Sequence, residues 1–222
     1  MRKIYLHLAL IPIALSSTVA MAETGDILVK IRPNYWIRSD ESKSIITIND
    51  VDQSIEAQNS FGAEAAMDFF LTDNIVAEVT FGGTSLKQKA ANGSSFATSG
   101  QLVPTATLLY YPAQTSARVH PYFGGGVSYV SLYSEKPGEL LTAQGGQPPV
   151  TYAVSLGSTA APVIQAGADI SLNEKLYINF DVKYVIANYD VIISKNDNSI
   201  LRESAKSKIN SFVLGVGVGS KF

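Results

Sequence analysis

The sequence predicts an all-β protein: an eight-stranded antiparallel barrel that crosses a membrane, with both chain termini on the periplasmic side. Three observations predict this fold class. Eight segments alternate apolar and polar residues with the period of a strand, their connections alternate between short and long, and the chain begins with the pattern of an export signal. A soluble all-β domain is the alternative, because its strands bury their apolar faces against a second sheet.

The first 22 residues have the organisation of a cleaved signal peptide. Two basic residues are followed by a mostly apolar stretch over 4–15, and Ala20 and Ala22 have the spacing of a cleavage site. The apolar stretch is shorter than the roughly 20 residues that span a bilayer as a helix, and Pro12 interrupts it. The sequence therefore predicts export, cleavage after Ala22, and a mature barrel domain over 23–222.

Composition excludes several classes of function. The chain has 222 residues, with 17 Lys and Arg, 19 Asp and Glu, and no cysteine. Because there is no basic surplus we expect no nucleic-acid partner, and without cysteine there is no disulfide, zinc–thiolate site or thiol nucleophile. The mature chain has one histidine, His120, which excludes a histidine-based metal cluster. We predict no cofactor and no metal.

Each predicted strand has one apolar face and one polar face. In the first strand Ile31 alternates with Lys30 and Arg32, whereas the last strand alternates apolar residues with glycine. The chain ends on Phe222, an aromatic residue suited to the membrane surface. The predicted strands cover 27–37, 57–70, 75–87, 101–111, 118–133, 159–170, 176–190 and 208–222.

The connections between these strands alternate in length. Short periplasmic turns opposite long outer loops are typical of outer-membrane barrels, and an even number of strands brings both termini to the same side. The predicted turns are 71–74, 112–117 and 171–175, and the predicted loops are 38–56, 88–100, 134–158 and 191–207.

The polar faces would bring ten charged residues into the barrel, five of each sign. We interpret them as a paired network, because charges removed from water need partners and an eight-stranded barrel is barely wide enough for its own side chains. The network is either a plug that only holds the barrel together or part of a path for transit. Its predicted members are Lys30, Arg32, Arg118, Lys183 and Lys221, with Glu64, Asp68, Glu78, Asp169 and Asp181.

Five stretches of the mature chain resemble the OmpW family of small outer-membrane barrels. They read GDILVK at 25–30, LTDNI at 71–75 with Glu78 shortly after, PTATLLYY at 104–111, HPYFGGGVSY at 120–129 and LYINFDVKY at 176–184. The resemblance implies a place in the outer membrane of a Gram-negative bacterium. It also implies a narrow, partly hydrophobic channel, entered from outside, that passes small hydrophobic molecules toward the membrane interior or the periplasm.

Four kinds of partner are expected for such a protein. They are outer-membrane lipid, lipopolysaccharide, a small hydrophobic ligand, and the barrel-assembly machinery, which would act through Phe222. An apolar ligand needs a desolvated path, so we predict an apolar vestibule in the outer half of the barrel. The alternative is that Trp36 is an interface-belt aromatic and the third long loop only packs on the rim. The candidate lining residues are Trp36, Val130, Leu140, Leu141, Tyr152, Val154 and Leu156.

Two other classes of function are left open by the sequence. One is a surface adhesin or antigen with a plugged barrel, whose function lies in its extracellular loops. The other is a lipid-modifying enzyme with His120 as the base and Ser128 as the nucleophile. The predicted strand points both side chains inward, away from lipid, and we therefore predict no catalytic residue.

Overall fold

Strands make up the regular structure of the residues that are described. A computed structural model of the chain describes residues 22–39, 43–48, 51–114, 116–137, 152–156, 158–195 and 203–222. No helix in these ranges is long and apolar enough to span a membrane. The described residues form β1 (Ile27–Arg38), β2 (Lys43–Ile48), β3 (Val51–Ala57), β4 (Ser60–Phe70), β5 (Ile75–Ala90), β6 (Ser95–Leu102), β7 (Thr105–Tyr110), β8 (Val119–Pro137), β9 (Tyr152–Leu156), β10 (Thr159–Ser171), β11 (Leu176–Val185), β12 (Asn188–Lys195), β13 (Glu203–Lys208) and β14 (Ser211–Lys221).

Nine of these segments close into a ring of eight antiparallel strands, because two of them belong to the same strand. The order around the ring is β1, β4, β5, β6 with β7, β8, β10, β11 and β14, which returns to β1. β6 and β7 are one strand interrupted at Val103 and Pro104, because both halves keep the same register against β5 and β8. Proline has no N–H for the ladder, which accounts for the interruption. The predicted eight-stranded antiparallel barrel is confirmed.

The first and last strands form the seam that closes the ring. Ile31 lies opposite Val218, and Ile37 lies opposite Phe212. At the end of the seam the backbone nitrogen of Phe222 donates to the carbonyl oxygen of Ile27 over 2.9 Å. Closure of this kind removes the open sheet edges that would otherwise expose unpaired backbone groups to lipid.

The two faces of the barrel invert the pattern of a soluble protein. On the outside Ile31 is 62% exposed and Phe61 is 81% exposed, whereas the inward-facing Lys30 and Arg32 are fully buried. An apolar exterior with buried charges suits a lipid surrounding. The alternating faces read from the sequence are therefore present in the ring.

The long connections contain more strand than predicted. The loop expected over 88–100 is mostly hairpin, since β5 and β6 leave only residues 91–94 as the turn. The other three expected loops contain β2 with β3, β9, and β12 with β13, of which β9, β12 and β13 form a separate three-stranded sheet. Away from lipid a strand needs no apolar face, so alternation fails to identify it even though its backbone ladder continues. We call the side of the barrel that carries these long connections the loop end. The opposite side, which carries residues 71–74, 172–175 and both ends of the described chain, is the turn end.

Candidate functional site in the barrel interior

The inward-facing side chains of β1 pass through three layers of the barrel interior. In order from the turn end they are Leu28, Lys30, Arg32, Asn34, Trp36 and Arg38, and all six are buried. Leu28 belongs to an apolar cluster at the turn end, Lys30 and Arg32 to a layer of charges, and Trp36 to a second apolar cluster at the loop end. The polarity of the interior therefore changes twice along the barrel axis.

The middle layer, which we call the ionic layer, contains eight of the ten charged residues predicted to point inward. Each of the eight is at least nine-tenths buried, so none relies on bulk water for its stabilisation. The ionic layer consists of Lys30, Arg32, Lys183, Glu64, Asp68, Glu78, Asp169 and Asp181.

Lys30 occupies the half of the ionic layer nearer the turn end. Its Nζ lies 2.6 Å from Asp68 Oδ2, 3.1 Å from Asp169 Oδ2 and 3.9 Å from Glu78 Oε2. One ammonium group thus holds carboxylates from β4, β5 and β10 together across the lumen. Its three donors suit this position, because an ammonium is a compact point charge.

Arg32 and Lys183 occupy the half nearer the loop end. Arg32 Nε lies 2.6 Å from Glu64 Oε1, and its two terminal nitrogens lie 3.2 Å from Glu78 Oε2 and 3.5 Å from Asp181 Oδ2. Lys183 Nζ contacts Glu64 Oε1 at 2.6 Å and Asp181 Oδ1 at 2.9 Å. The planar guanidinium therefore links three strands at once, as its fork of donors allows.

Four neutral side chains complete the ionic layer, whereas the network predicted from the sequence contained charged residues alone. The Tyr111 hydroxyl donates to Asp169 Oδ2 and the Tyr122 hydroxyl to Asp181 Oδ2, both over 2.8 Å. Gln165 Nε2 donates to Glu78 Oε1 and Asp181 Oδ2, and Asn179 Nδ2 donates to Asp169 Oδ1. All four share the inward parity of the charged residues, which is the signal that would have identified them.

Two of the ten charged residues predicted to point into the barrel lie outside the ionic layer. Arg118 precedes the first residue of β8, and its side chain is exposed at the turn end. Lys221 is partly exposed there and its Nζ lies 3.5 Å from Asp26 Oδ2. Both positions lie at the rim, where the barrel opens to solvent. The ionic layer therefore has three cations against five carboxylates rather than equal numbers.

The turn-end cluster closes the interior below the ionic layer. The rings of Tyr111 and Tyr122 lie 5.0 Å apart between centroids, and those of Phe70 and Tyr111 lie 5.8 Å apart. Both tyrosine hydroxyls point into the ionic layer, so the two layers are continuous. The turn-end cluster consists of Ala22, Leu28, Phe70, Val76, Leu109, Tyr111, Tyr122 and Tyr177.

The loop-end cluster is a group of apolar side chains in the opposite half of the interior. Trp36 is 3% exposed, and its indole Nε1 donates to Asn34 Oδ1 over 3.0 Å. Trp36 thus lies inside the barrel, whereas an interface-belt aromatic would lie on its outer surface. The loop-end cluster consists of Trp36, Ile55, Leu86, Ala90, Phe96, Ala97, Val103, Val130, Ala161, Val163, Val185, Ala187, Ile209 and Val213.

The seven candidate lining residues fall into three groups. Trp36 and Val130 are members of the loop-end cluster. Tyr152, Val154 and Leu156 lie on β9, in the three-stranded sheet of the loop end, where Val154 and Leu156 pair with β12. The remaining two candidates, Leu140 and Leu141, lie outside the described residues.

The residues proposed for an enzyme do not form a reacting pair. His120 and Ser128 lie on the same strand eight residues apart, which separates them by about 26 Å at the usual rise per residue. Ser128 Oγ instead lies 2.8 Å from Thr105 Oγ1. Within the described ranges, no group of three or more His, Asp or Glu side chains is arranged to hold a metal ion.

A closed antiparallel barrel with an apolar exterior and an ionised interior defines an outer-membrane β-barrel protein. The model of the OmpW family matches residues 23–222, and the chain belongs to this family. It is located in the outer membrane of a Gram-negative bacterium. A curated relative, the uncharacterized outer-membrane protein y4mB of Sinorhizobium fredii strain NGR234, is 28% identical over 216 residues, which cover 95% of this chain and 86% of the relative.

Solved structures of similar fold are outer-membrane barrels as well. OprG from Pseudomonas aeruginosa matches with a TM-score of 0.72 and 23% identity, covering 91% of this chain and 98% of that one. AlkL, solved in DMPC bilayers, matches with a TM-score of 0.67 and 17% identity, covering 100% of this chain and 97% of that one. The E. coli outer membrane protein W matches with a TM-score of 0.54 and 17% identity, covering 91% and 100%.

Proposed function

We propose that this protein is a narrow passage for small hydrophobic molecules, entered from the loop end, which faces the cell exterior. Both termini then lie on the periplasmic side. This orientation places Phe222, at the turn end of the seam, where the barrel-assembly machinery could engage it. Membership of the OmpW family supports the proposal, because the resemblance of the sequence to that family implies such a channel.

The observation that carries the proposal is that an apolar interior at the loop end terminates on the ionic layer. An apolar molecule entering from outside reaches Trp36 and Val130 of this interior before it reaches the charges around Arg32. Passage straight through would require buried ion pairs to separate, and a buried charge left without its partner is strongly destabilising. Release into the membrane interior through the wall therefore agrees better with the structure than release into the periplasm.

The wall of the loop-end cluster has an interruption that suits such an exit. Val103 belongs to the cluster, and the adjacent Pro104 separates β6 from β7. Pro104 accepts a bond from the backbone nitrogen of Tyr129 but has no N–H to return. With one fewer backbone bond, β8 separates from its neighbour at a lower free-energy cost here than where the ladder is complete.

The test is entry of a nonpolar probe into the outer membrane of intact cells. N-phenyl-1-naphthylamine fluoresces on reaching the membrane interior, so its fluorescence reports entry past lipopolysaccharide. Cells producing the protein should show a faster rise than cells without it. Val130→Arg, which places a charge in the loop-end cluster, should return the rate to that of cells without the protein. Asn92→Arg, at an exposed turn residue, is the matched control and should leave the rate unchanged.

Equal amounts of folded barrel must be compared, and a heat-dependent shift on gels measures them. If the wild-type barrel is folded and the probe enters no faster than in cells without it, the proposal is wrong. That outcome would favour a surface protein that acts through its loops. If Val130→Arg yields no folded barrel, Val130→Asn, a smaller polar change at the same residue, takes its place in the test.

A further inference from the structure

A row of polar side chains crosses the outer surface of the barrel near the loop end. Lys87 of β5 lies opposite Thr98 of β6, and Thr98 lies opposite Lys136 of β8. Directly opposed residues share one face of a sheet, and the two neighbours of Thr98 on β6, Ala97 and Ser99, are buried on the inner face. The row therefore faces outward, and both of its lysines are exposed.

A bulge in β8 turns Lys136 to the outside. Tyr133 pairs with Gly100 and Lys136 pairs with Thr98, so β8 takes three residue steps where β6 takes two. Ser134, inside the bulge, has a φ of 53° and is the one non-glycine residue with a positive φ among those that the structure describes. With regular pairing Lys136 would have the parity of the interior. A bulge that re-aims a side chain is typical of functional positions.

The row lies just above the apolar band of the barrel. From Ile75, where β5 leaves the turn end, to Ser85 the strand rises about 25 Å along the barrel axis at a tilt of about 40°, which is about the height of the band. Lys87 is the next outward residue. Below the row the ring of Tyr133 covers Gly100, where a Cβ would collide with it. Because tyrosine rings are favoured at the membrane surface, the two lysines lie at the level of lipid headgroups.

The charge of the row is not neutralised by acidic residues of the barrel. Within the part of the chain that the structure describes, neither Lys87 nor Lys136 forms an ion pair. A third exposed cation, Lys89, lies opposite Glu56 of β3 and is therefore not assigned to the row. The two lysines flank one strand, about 10 Å apart at the usual strand spacing, so their long flexible side chains can converge on one anion.

We propose that this row binds a phosphate of lipid A, the membrane anchor of lipopolysaccharide. Lys87 and Lys136 supply the two cations, and the Thr98 hydroxyl between them donates a hydrogen bond. Clustered lysines at headgroup level are suited to phosphorylated lipids. Lipid A forms the outer leaflet, which the loop end faces in the orientation proposed above. The acyl chains then lie against the exposed Leu102 and Tyr133. The inference uses that orientation and is otherwise independent of a passage through the interior.

Binding of single lipids to the folded barrel in detergent tests the site. Native mass spectrometry resolves the barrel with no lipid and with one lipid, and a titration gives the Kd of the first. The probes are lipid A with both phosphates, the same lipid A after enzymatic removal of both phosphates, and phosphatidylglycerol. The phosphorylated form should bind about 25-fold more tightly than the dephosphorylated form, at about fivefold for each lysine. Phosphatidylglycerol, whose phosphodiester carries a single charge, should bind more weakly than lipid A.

Substitutions of the two lysines decide whether they produce this preference. Lys87→Gln with Lys136→Gln should bind both forms of lipid A equally. Arg118→Gln with Lys175→Gln removes the same charge from exposed residues of the turn end and should leave the preference unchanged. Lys87→Arg with Lys136→Arg should retain it, because arginine also binds phosphate. If the double glutamine variant yields no folded barrel, the single variants Lys87→Gln and Lys136→Gln take its place.

Three outcomes would overturn the inference. One is a preference for phosphate that persists in the double glutamine variant. Another is an equal loss in the turn-end control, which would show a general effect of charge. The third is binding of phosphatidylglycerol as tight as that of lipid A, which would make the row a site for any anionic lipid. None of them bears on the passage for hydrophobic molecules, because Lys87 and Lys136 lie on the outer surface and entry of the nonpolar probe is measured separately.

Discussion

Asp68 and Glu78 lie directly opposite each other on β4 and β5, and both carboxylates point into the barrel. Like charges in a directly opposed pair repel. Lys30 Nζ contacts both, at 2.6 Å and 3.9 Å, and also holds Asp169. The stability of this half of the ionic layer therefore depends on one ammonium group more than on any single carboxylate.

Substitutions of Lys30 and Asp68 should therefore lower the free energy of unfolding by different amounts. Lys30→Met removes the shared cation and should lower the free energy of unfolding by about 3–5 kcal/mol, the usual result of leaving buried charges unpaired. Asp68→Asn reduces the excess of carboxylates, and its cost should be much smaller. Urea unfolding in lipid vesicles, followed through Trp36 fluorescence, measures both. Equal losses for the two variants would contradict this account of the ionic layer.

Two glycines of β14 should respond differently to the same added methyl group. At Gly217 a Cβ would collide with the Ile31 carbonyl oxygen and the Arg32 side chain across the seam. At Gly215 it would meet Arg32 and Asp181 at 3.6 Å, an ordinary van der Waals distance. Gly217→Ala should therefore cost about 1–3 kcal/mol by overpacking, whereas Gly215→Ala should be nearly neutral. The folded fraction after refolding into vesicles measures both, and equal yields would oppose the prediction.

Closure of the barrel can be tested by a disulfide across its seam. Ile37 and Phe212 are directly paired, and the natural chain has no cysteine to interfere. Directly opposed residues lie about 4.5–5.5 Å apart between Cα atoms, within the range of a disulfide. The double variant Ile37→Cys with Phe212→Cys should therefore migrate faster on non-reducing denaturing gels. Ile37→Cys with Leu108→Cys, on the distant β7, should not cross-link within a monomer.

The proposed orientation predicts which turns reach the cell surface. An epitope inserted after Gly93, in the turn of the loop end, should be labelled by antibody on intact cells. An epitope inserted after Asn173, in a turn of the turn end, should be labelled only after the outer membrane is permeabilised. Surface labelling of the Asn173 insertion instead would reverse the orientation.

Much of the ring could be predicted because every second residue of a strand faces lipid and therefore has to be apolar. Ile31 and Lys30 carry opposite chemical character at adjacent positions, and the structure places them on opposite faces. The inward parity that identified Lys30 also applies to Tyr111 and Arg38. Tyr111 was missing from the predicted network because only charged side chains were considered. Arg38 was missing because the predicted first strand ended one residue too early.

Other features could not be predicted because no lipid face marks them. Lys89 and Ser95 are paired strand residues, yet their polarity suggested a loop. Arg118 has the parity of the lumen, but parity does not tell where the barrel ends and solvent begins. Which residues belong to each apolar cluster depends on which inward side chains lie at the same height along the barrel axis. That height is set by the stagger between strands, which a single strand's sequence does not contain.

The length of β8 has a consequence for uptake. Its 19 residues, rising about 3.3 Å each at a tilt of about 40°, extend about 48 Å along the barrel axis, against an apolar band of about 25 Å. Near residues 91–94, at the tip of the β5 and β6 hairpin, Ala90 and Phe96 are still members of the loop-end cluster. With this end outward, a nonpolar solute leaves water well above the bilayer. Its entry rate should then depend little on the divalent cations that cross-link the surrounding lipopolysaccharide.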